Sequence, residues 1–333
     1  MNIWQWFIHL LSTVIELIYG LVQSHGWSIV LFTLLIKVLV MPLDLKSRRS
    51  MRRMSEVNPK IQALQKKYAN DKEKFQQKQA ELYRKEKINP LAGCLPMLLS
   101  MPVLFAMFAV MRNVANNQLA DLLTALYNAV GNLTDKNEIL AAIHQIQASG
   151  AFHFEPWLWI KNLWMADSPF TSVLPLTATD LMNIKGVVNA DMFTALETFI
   201  TGDVYQSIVL PVFNAVPLPG GTANFLLFQV TIYQNPNGFF ILPVLAAVSQ
   251  YLSTLMTPQQ DTSGSDASKG TGQMMKYFFP LFSLWICSTS NAAFALYWVM
   301  ANLFQMAEQF VFNRYFNWED RKKRQVAEEA ETK

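Results

Sequence analysis

WSIVLFTLLIKVLVMPL, residues Trp27 to Leu43, is the stretch on which the architecture turns. Only Ser28, Thr33, Lys37 and Pro42 interrupt its apolar run. Its length meets the lower limit of about 17 residues for a helix that crosses a bilayer. Four more apolar runs follow: Leu91–Met111, Phe239–Met256, the short Tyr277–Cys287 and Ala292–Phe312. As a helix, the core Tyr277–Cys287 would rise only about 16 Å. It is therefore expected to extend toward Gln273 and Ser290, or to sit in a thinned bilayer. Any one run reads equally well as the buried helix of a soluble protein, but five together do not.

Composition and charge agree. Of 333 residues, 52% are apolar and 15% charged, against roughly 25% charged in ordinary soluble domains. Disorder is excluded by the high apolar content. A disulfide scaffold is excluded by the presence of only two cysteines, Cys94 and Cys287. The net charge of +3 conceals a segregation. Fourteen of the 27 lysines and arginines fall in residues 44–89 with six acids, a balance of +8. Residues 113–237 hold three lysines and nine acids, a balance of −6. Short cytoplasmic loops of membrane proteins retain Lys and Arg, so 44–89 is read as cytoplasmic.

The sequence thus predicts an all-α integral membrane protein with five spans: 26–43, 90–112, 238–256, 274–289 and 290–313. The N-terminus lies outside. Residues 44–89 form a cytoplasmic helical hairpin that turns near Asn70-Asp71, with Pro59 starting a new helix. Residues 113–237 are extracytoplasmic, 257–273 is a polar cytoplasmic linker, and the tail 314–333 is cytoplasmic. Residues 1–25 carry a polar stripe (Gln5, His9, Ser12, Thr13, Glu16) on an otherwise apolar helix, expected in the membrane interface. A signal peptide is disfavoured, because neither an initial basic region nor a small-residue cleavage site is seen.

Lys37 is the residue with most to say about function. A lysine near a span centre costs about 2.5–3.5 kcal/mol on insertion scales. Snorkelling toward the cytoplasmic interface is one remedy. The other is a hydrated cavity, and Thr33 lies one turn away on the same face. Ser100, Ser249, Gln250, Ser253, Thr254, Asn302 and Gln305 supply further polar groups in other runs. Such groups usually face protein or water rather than lipid, and a polar groove between the helices would gather them. Glu308 is the only acid in these runs, which disfavours a cation pathway. No catalytic motif, P-loop or metal-ligand spacing is found, so neither an enzyme nor a cofactor is expected.

Three blocks carry a family resemblance. They are GWSIVLFTLLIKVLVMPLDLKSRRSMRRMSEVNPKIQALQKKY, EKINPLAGCLPMLLSMPVLFAMF and MMKYFFPLFSLWICSTSNAAFALYWVMANLFQMAEQFVFNRYF. Together with WLWIKNLWMADSP at 157–169, they resemble the YidC family of membrane protein insertases, bacterial relatives of Oxa and Alb. The resemblance implies five helices around a polar groove open to cytosol and lipid. The groove charge would receive hydrophilic segments of nascent membrane proteins, whose apolar segments then enter the bilayer. It places Lys37 where the family usually has arginine, a change that keeps the charge but loses the planar fork of donors. It places Tyr297 and Trp298 where the family contacts substrate. The substrate-binding set is then Lys37, Thr33, Ser100, Ser249, Gln250, Tyr297, Trp298, Asn302 and Gln305. The implied partners are nascent membrane proteins, the ribosome and the bilayer, with the Sec translocon as a further candidate, around a functional monomer in the bacterial cell membrane. Ser100 stands where glutamine is frequent, Asn291 where glycine is, and 170–237 is a large insertion. VLPVFNAVPLPGGTANFLLFQVTIY within it reads as strands or as a membrane-surface segment. A small-anion transporter or channel using Lys37 as its site is the alternative.

Overall fold

The computed structural model describes residues 2–86, 95–150, 152, 154–225, 228–256 and 266–331. Helices dominate. In order they are α1 (Ile3–Val22), α2 (His25–Lys67), α3 (Lys72–Lys85), α4 (Leu95–Val130), α5 (Lys136–Ala148), α6 (Ala190–Thr201), the short α7 (Leu210–Val212), α8 (Ile241–Met256), α9 (Asp266–Thr289) and α10 (Ala292–Glu331). Strands β1 (Pro217–Phe225) and β2 (Phe228–Tyr233) stand between α7 and α8. The all-α expectation is therefore corrected at one point, where 217–233 forms an antiparallel hairpin pairing Thr222 with Thr231. The register slips between Pro217 and Thr222. There Gly220 adopts φ +73°, a conformation open to glycine because it has no Cβ.

Several helices run through boundaries that hydropathy suggested. α2 joins the first apolar run and the basic stretch in 43 residues. A helix restart at Pro59 does not occur. Proline removes a hydrogen bond to the carbonyl four residues back, but Met54, Val57 and Ile61 are buried along one side of that stretch and hold it in place. α4 carries the second run onward to Val130. α9 begins at Asp266, so 266–273 is helical rather than linker, and 257–265 lies outside the described residues. α10 holds the fifth run and most of the tail in one 40-residue helix. Nothing between run and tail breaks any of these helices, so their polar ends continue the helical path.

The chain divides into two compact units. The first comprises Met1–Val30, Ala106–Leu245 and Leu284–Trp298. Here Asn2 caps α1 by accepting from the Gln5 N–H, and Ile8, Leu11 and Ile15 are buried. α1 is long and apolar enough to cross a membrane, as α2 is. Residues 120–215 enclose their own core, to which α4 contributes Leu123 and Leu126, α5 Ile139 and Ile143, and α6 Leu196 and Ile200. Tyr205 is fully buried there, its hydroxyl donating to the Pro175 carbonyl at 2.9 Å. Burial pushes its phenol well above the ordinary value.

Residues 155–167 organise this unit by receiving three helix N-termini, whose first N–H groups have no partner within their own helix. Glu155 accepts from the His25 backbone N–H at 3.1 Å at the start of α2. The carbonyls of Met165 and Leu163 accept from Ala292 and Ala293 at the start of α10, each at 2.9 Å. Asp167, fully buried, accepts from Leu242 N–H at 2.6 Å, Phe239 N–H at 2.8 Å and Trp159 Nε1 at 3.2 Å. Between those two backbone donors Phe240 holds φ +65°, a strained conformation for a bulky residue. The paired bonds to Asp167 hold it there.

The second unit comprises Leu31–Phe105, Ala246–Ser283 and Val299–Lys333. α2 and α3 fold into a hairpin at residues 68–71, where Asp71 caps α3 by accepting from Lys74 N–H. Met54, Val57 and Ile61 pack on Phe75, Leu82 and Tyr83. Beyond the first apolar run, α2 grips α10 by a ladder of arginines on aromatic faces. Arg48 lies over Phe312, Arg49 over Tyr315 and Arg52 over Phe316. Arg52 also pairs with Asp320.

Candidate functional site

Three of the apolar helices turn large apolar side chains outward and bury small polar ones. On α8, Ile241, Val244, Val248, Leu252 and Leu255 are exposed while Ala246, Ser249 and Ser253 are buried. On α9, Tyr277, Phe278, Leu281 and Trp285 face outward and Ser283 is buried. On α2, Leu31, Leu34, Leu35, Val38 and Leu39 are exposed, whereas Ser28 and Thr33 are buried. In water this would leave an apolar surface far larger than soluble monomers show. In lipid it costs nothing, and it is the polar groups that must be sheltered.

The sheltered groups meet in part. Thr33 and Lys37 lie one turn apart on α2. Lys37 Nζ donates to Gln305 Oε1 on α10 at 3.5 Å, a long contact between residues 268 positions apart. One turn earlier on α10, Asn302 Nδ2 donates to Ser249 Oγ on α8 at 3.1 Å, and Ser249 Oγ in turn donates to the Ala246 carbonyl. Gln250 is half-buried, and its carbonyl accepts from Thr254 Oγ1. Three helices of the second unit thus supply one polar set. Ser100 lies in α4, and its side chain is outside the described residues.

Three charged residues that act on Lys37, namely Asp44, Arg48 and Glu308, were not on the sequence-derived list. Glu308, 7% exposed, lies one turn beyond Gln305 on α10, and Asp44 follows Lys37 by two turns on α2. Both acids act on Lys37, as does the like charge of Arg48. Burial raises the Asp44 carboxyl above its ordinary value, opposed by Lys37 and Arg48. Burial lowers Arg48, opposed by Glu308 and Asp44. Two cations and two acids therefore lie within electrostatic reach of one another, where the sequence had singled out Lys37. The signal was available: Asn302, Gln305, Glu308 and Gln309 recur at helical spacing on one face.

Tyr297 and Trp298 are placed differently. They belong to the first unit and are 7% and 8% exposed. Phe294 packs on both, with centroids 6.4 Å and 5.6 Å away, and Phe108 packs edge-on against Phe294. In this structure both rings pack against Phe294. Among the described residues no three His, Cys, Asp or Glu side chains are grouped to hold a metal.

Exposed large apolar side chains beside buried small polar ones, with two helices long and apolar enough to cross a membrane, are the features of a helical membrane protein. The profile of the 60Kd inner membrane protein family matches residues 17–217 and 192–321. The chain belongs to that family, in agreement with the YidC resemblance of its three sequence blocks. It is 49% identical over 98 residues to the membrane protein insertase YidC of Ectopseudomonas mendocina (strain ymp), covering 29% of this chain and 17% of that protein. It is 46% identical over 110 residues to that of Ruegeria pomeroyi, covering 32% and 18%. The Fusobacterium nucleatum insertase matches at 47% over 92 residues, covering 28% and 45%. The chain thus aligns with less than half the length of these relatives.

Proposed function

We propose that this protein is a membrane protein insertase. It receives hydrophilic segments of nascent membrane proteins in the polar set around Lys37 and releases their apolar segments into lipid. The observation that carries the reading is the contact of Lys37 with Gln305 on a separate helix, beside the Asn302–Ser249 bond. A snorkelling lysine would reach past its neighbours to the interface, whereas this ammonium is engaged by protein. Charge and hydrogen-bonding capacity in a poorly hydrated site act more strongly than in bulk water, so a polar client segment finds partners there at a lower desolvation cost. No covalent step is needed. The five-span arrangement, with 44–89 and the tail in the cytoplasm and 113–237 outside, follows the positive-inside rule. Nascent chains, the ribosome and the bilayer are the partners in this reading.

The test is complementation in cells depleted of their own insertase, with client insertion read by protease protection. Lys37→Ala and Lys37→Glu lower insertion, and Lys37→Arg preserves it. A Lys37→Glu variant that inserts clients as well as wild type removes the charge mechanism. A photo-crosslinker at position 37 captures a stalled client. The anion-channel alternative is disfavoured by Asp44 and Glu308, which offset the cations that an anion site would need.

A further inference from the structure

Glu308 is buried, and its Oε1 has no hydrogen-bond partner among the described residues. A buried carboxylate oxygen without a donor is costly. Lys37 and Arg48 are within electrostatic reach, yet among the described residues Glu308 forms no ion pair with either. Lys37 instead contacts Gln305, one turn from Glu308 on the same face of α10. The polar set therefore holds a donor on α2 and an acceptor on α10 that do not satisfy each other. Among the described residues no donor completes this acceptor, so a donor on a bound segment can. A hydrophilic polypeptide segment carries both signs of polar group, and Lys37 alone serves only its acceptors and acids.

We propose that Glu308 is a second client-binding subsite, specific for the ammonium and guanidinium groups of Lys and Arg in the client's hydrophilic segment. It rests on the reading of the polar set as the client-binding surface. Lys37 then favours acidic segments and Glu308 basic ones, so that one site serves clients of either charge. The set stays near neutrality without a client because each charge has an opposite within reach.

The test uses the full chain in proteoliposomes with two in vitro translated clients that differ only in their hydrophilic segment, Lys/Arg in one and Asp/Glu in the other. Glu308→Gln preserves shape and removes charge. It is expected to lower insertion of the basic client about tenfold, the scale of one charged hydrogen bond, and to leave the acidic client at wild-type level or above. Lys37→Ala gives the reverse preference. If Glu308→Gln handles both clients as wild type does, or loses both equally, the subsite is refuted. If Lys37→Ala impairs the acidic client while Glu308→Gln is silent, the subsite alone falls. If neither variant changes either client, the client-binding reading of the whole set falls with it.

Discussion

Replacing Asp167 by alanine tests how the first unit is held together. The carboxylate is fully buried and accepts three N–H bonds, two from backbone at the entry to α8 and one from Trp159. Alanine leaves three donors without this acceptor. Loss of a helix cap costs about 0.5–2 kcal/mol, and a buried donor left unsatisfied costs about 1–3 kcal/mol. Partial rescue by water entering the new space brings the sum to about 3 kcal/mol or more. The strained Phe240 also loses the bonds on either side of it. At about 2–4 °C per kcal/mol for a unit of this size, the thermal midpoint in detergent falls by about 6–12 °C. Asp167→Asn keeps the shape and one oxygen but turns an amide against the remaining donors, so it falls between alanine and wild type. The assay is thermal unfolding of purified protein, followed by near-UV circular dichroism because Trp159 reports directly. A midpoint for Asp167→Ala within about 2 °C of wild type would refute the reasoning. It would mean that packing, not this carboxylate, joins the 155–167 segment to α8.

Two further outcomes follow from local geometry. Gly26→Ala places a β-carbon into the Trp157 ring, which also packs edge-on against Trp27. Overpacking of this kind costs about 1–3 kcal/mol, read as a lower thermal midpoint with a shifted tryptophan emission. An unchanged emission and midpoint would show that the ring moves aside freely. In the α2–α3 hairpin, the Lys60 ammonium lies 2.6 Å from Glu86 and holds that carboxyl below its ordinary value. A depressed carboxyl contributes its stability above the unfolded-state value and loses it as pH falls through the folded one. Amide protection factors around residues 60 and 86, which remove the intrinsic pH dependence of exchange, should therefore fall on acidification below about pH 4, and Glu86→Gln should abolish that step. A step that persists in Glu86→Gln assigns it to another carboxyl.

The apolar stretch from Trp27 to Leu43, the segregated charge, the lone Lys37 and the family blocks were legible in the sequence. Hydropathy and charge add up residue by residue along the chain, so they need no knowledge of where the chain travels. The hairpin turn at 68–71 was equally local, since the apolar stripe breaks there and Asp71 is a ready cap. Local too, though left open, was the β-hairpin at 217–233, because PLPGGTANF suits a strand or a surface loop until Phe228–Tyr233 pairs with it.

Partnership was not legible. Lys37 meets Gln305 across 268 positions and Asn302 meets Ser249 across 53, and nothing in the local pattern of either residue names its partner. Asp167, in MADSP, reads as an ordinary turn acid until the path of the chain brings Trp159, Phe239 and Leu242 to it. Tyr297 and Trp298 carry a motif suited to contact, and packing by Phe294 encloses them. Glu308 stood in the sequence as the only acid of the apolar runs, and the fold buries it within electrostatic reach of Lys37. The sequence by itself determined which residues must avoid lipid and which must avoid water. The tertiary structure decided which of the sheltered polar groups satisfy one another. The physical reason is that solvation is a property of each residue, whereas a hydrogen bond exists only where two chain segments arrive together.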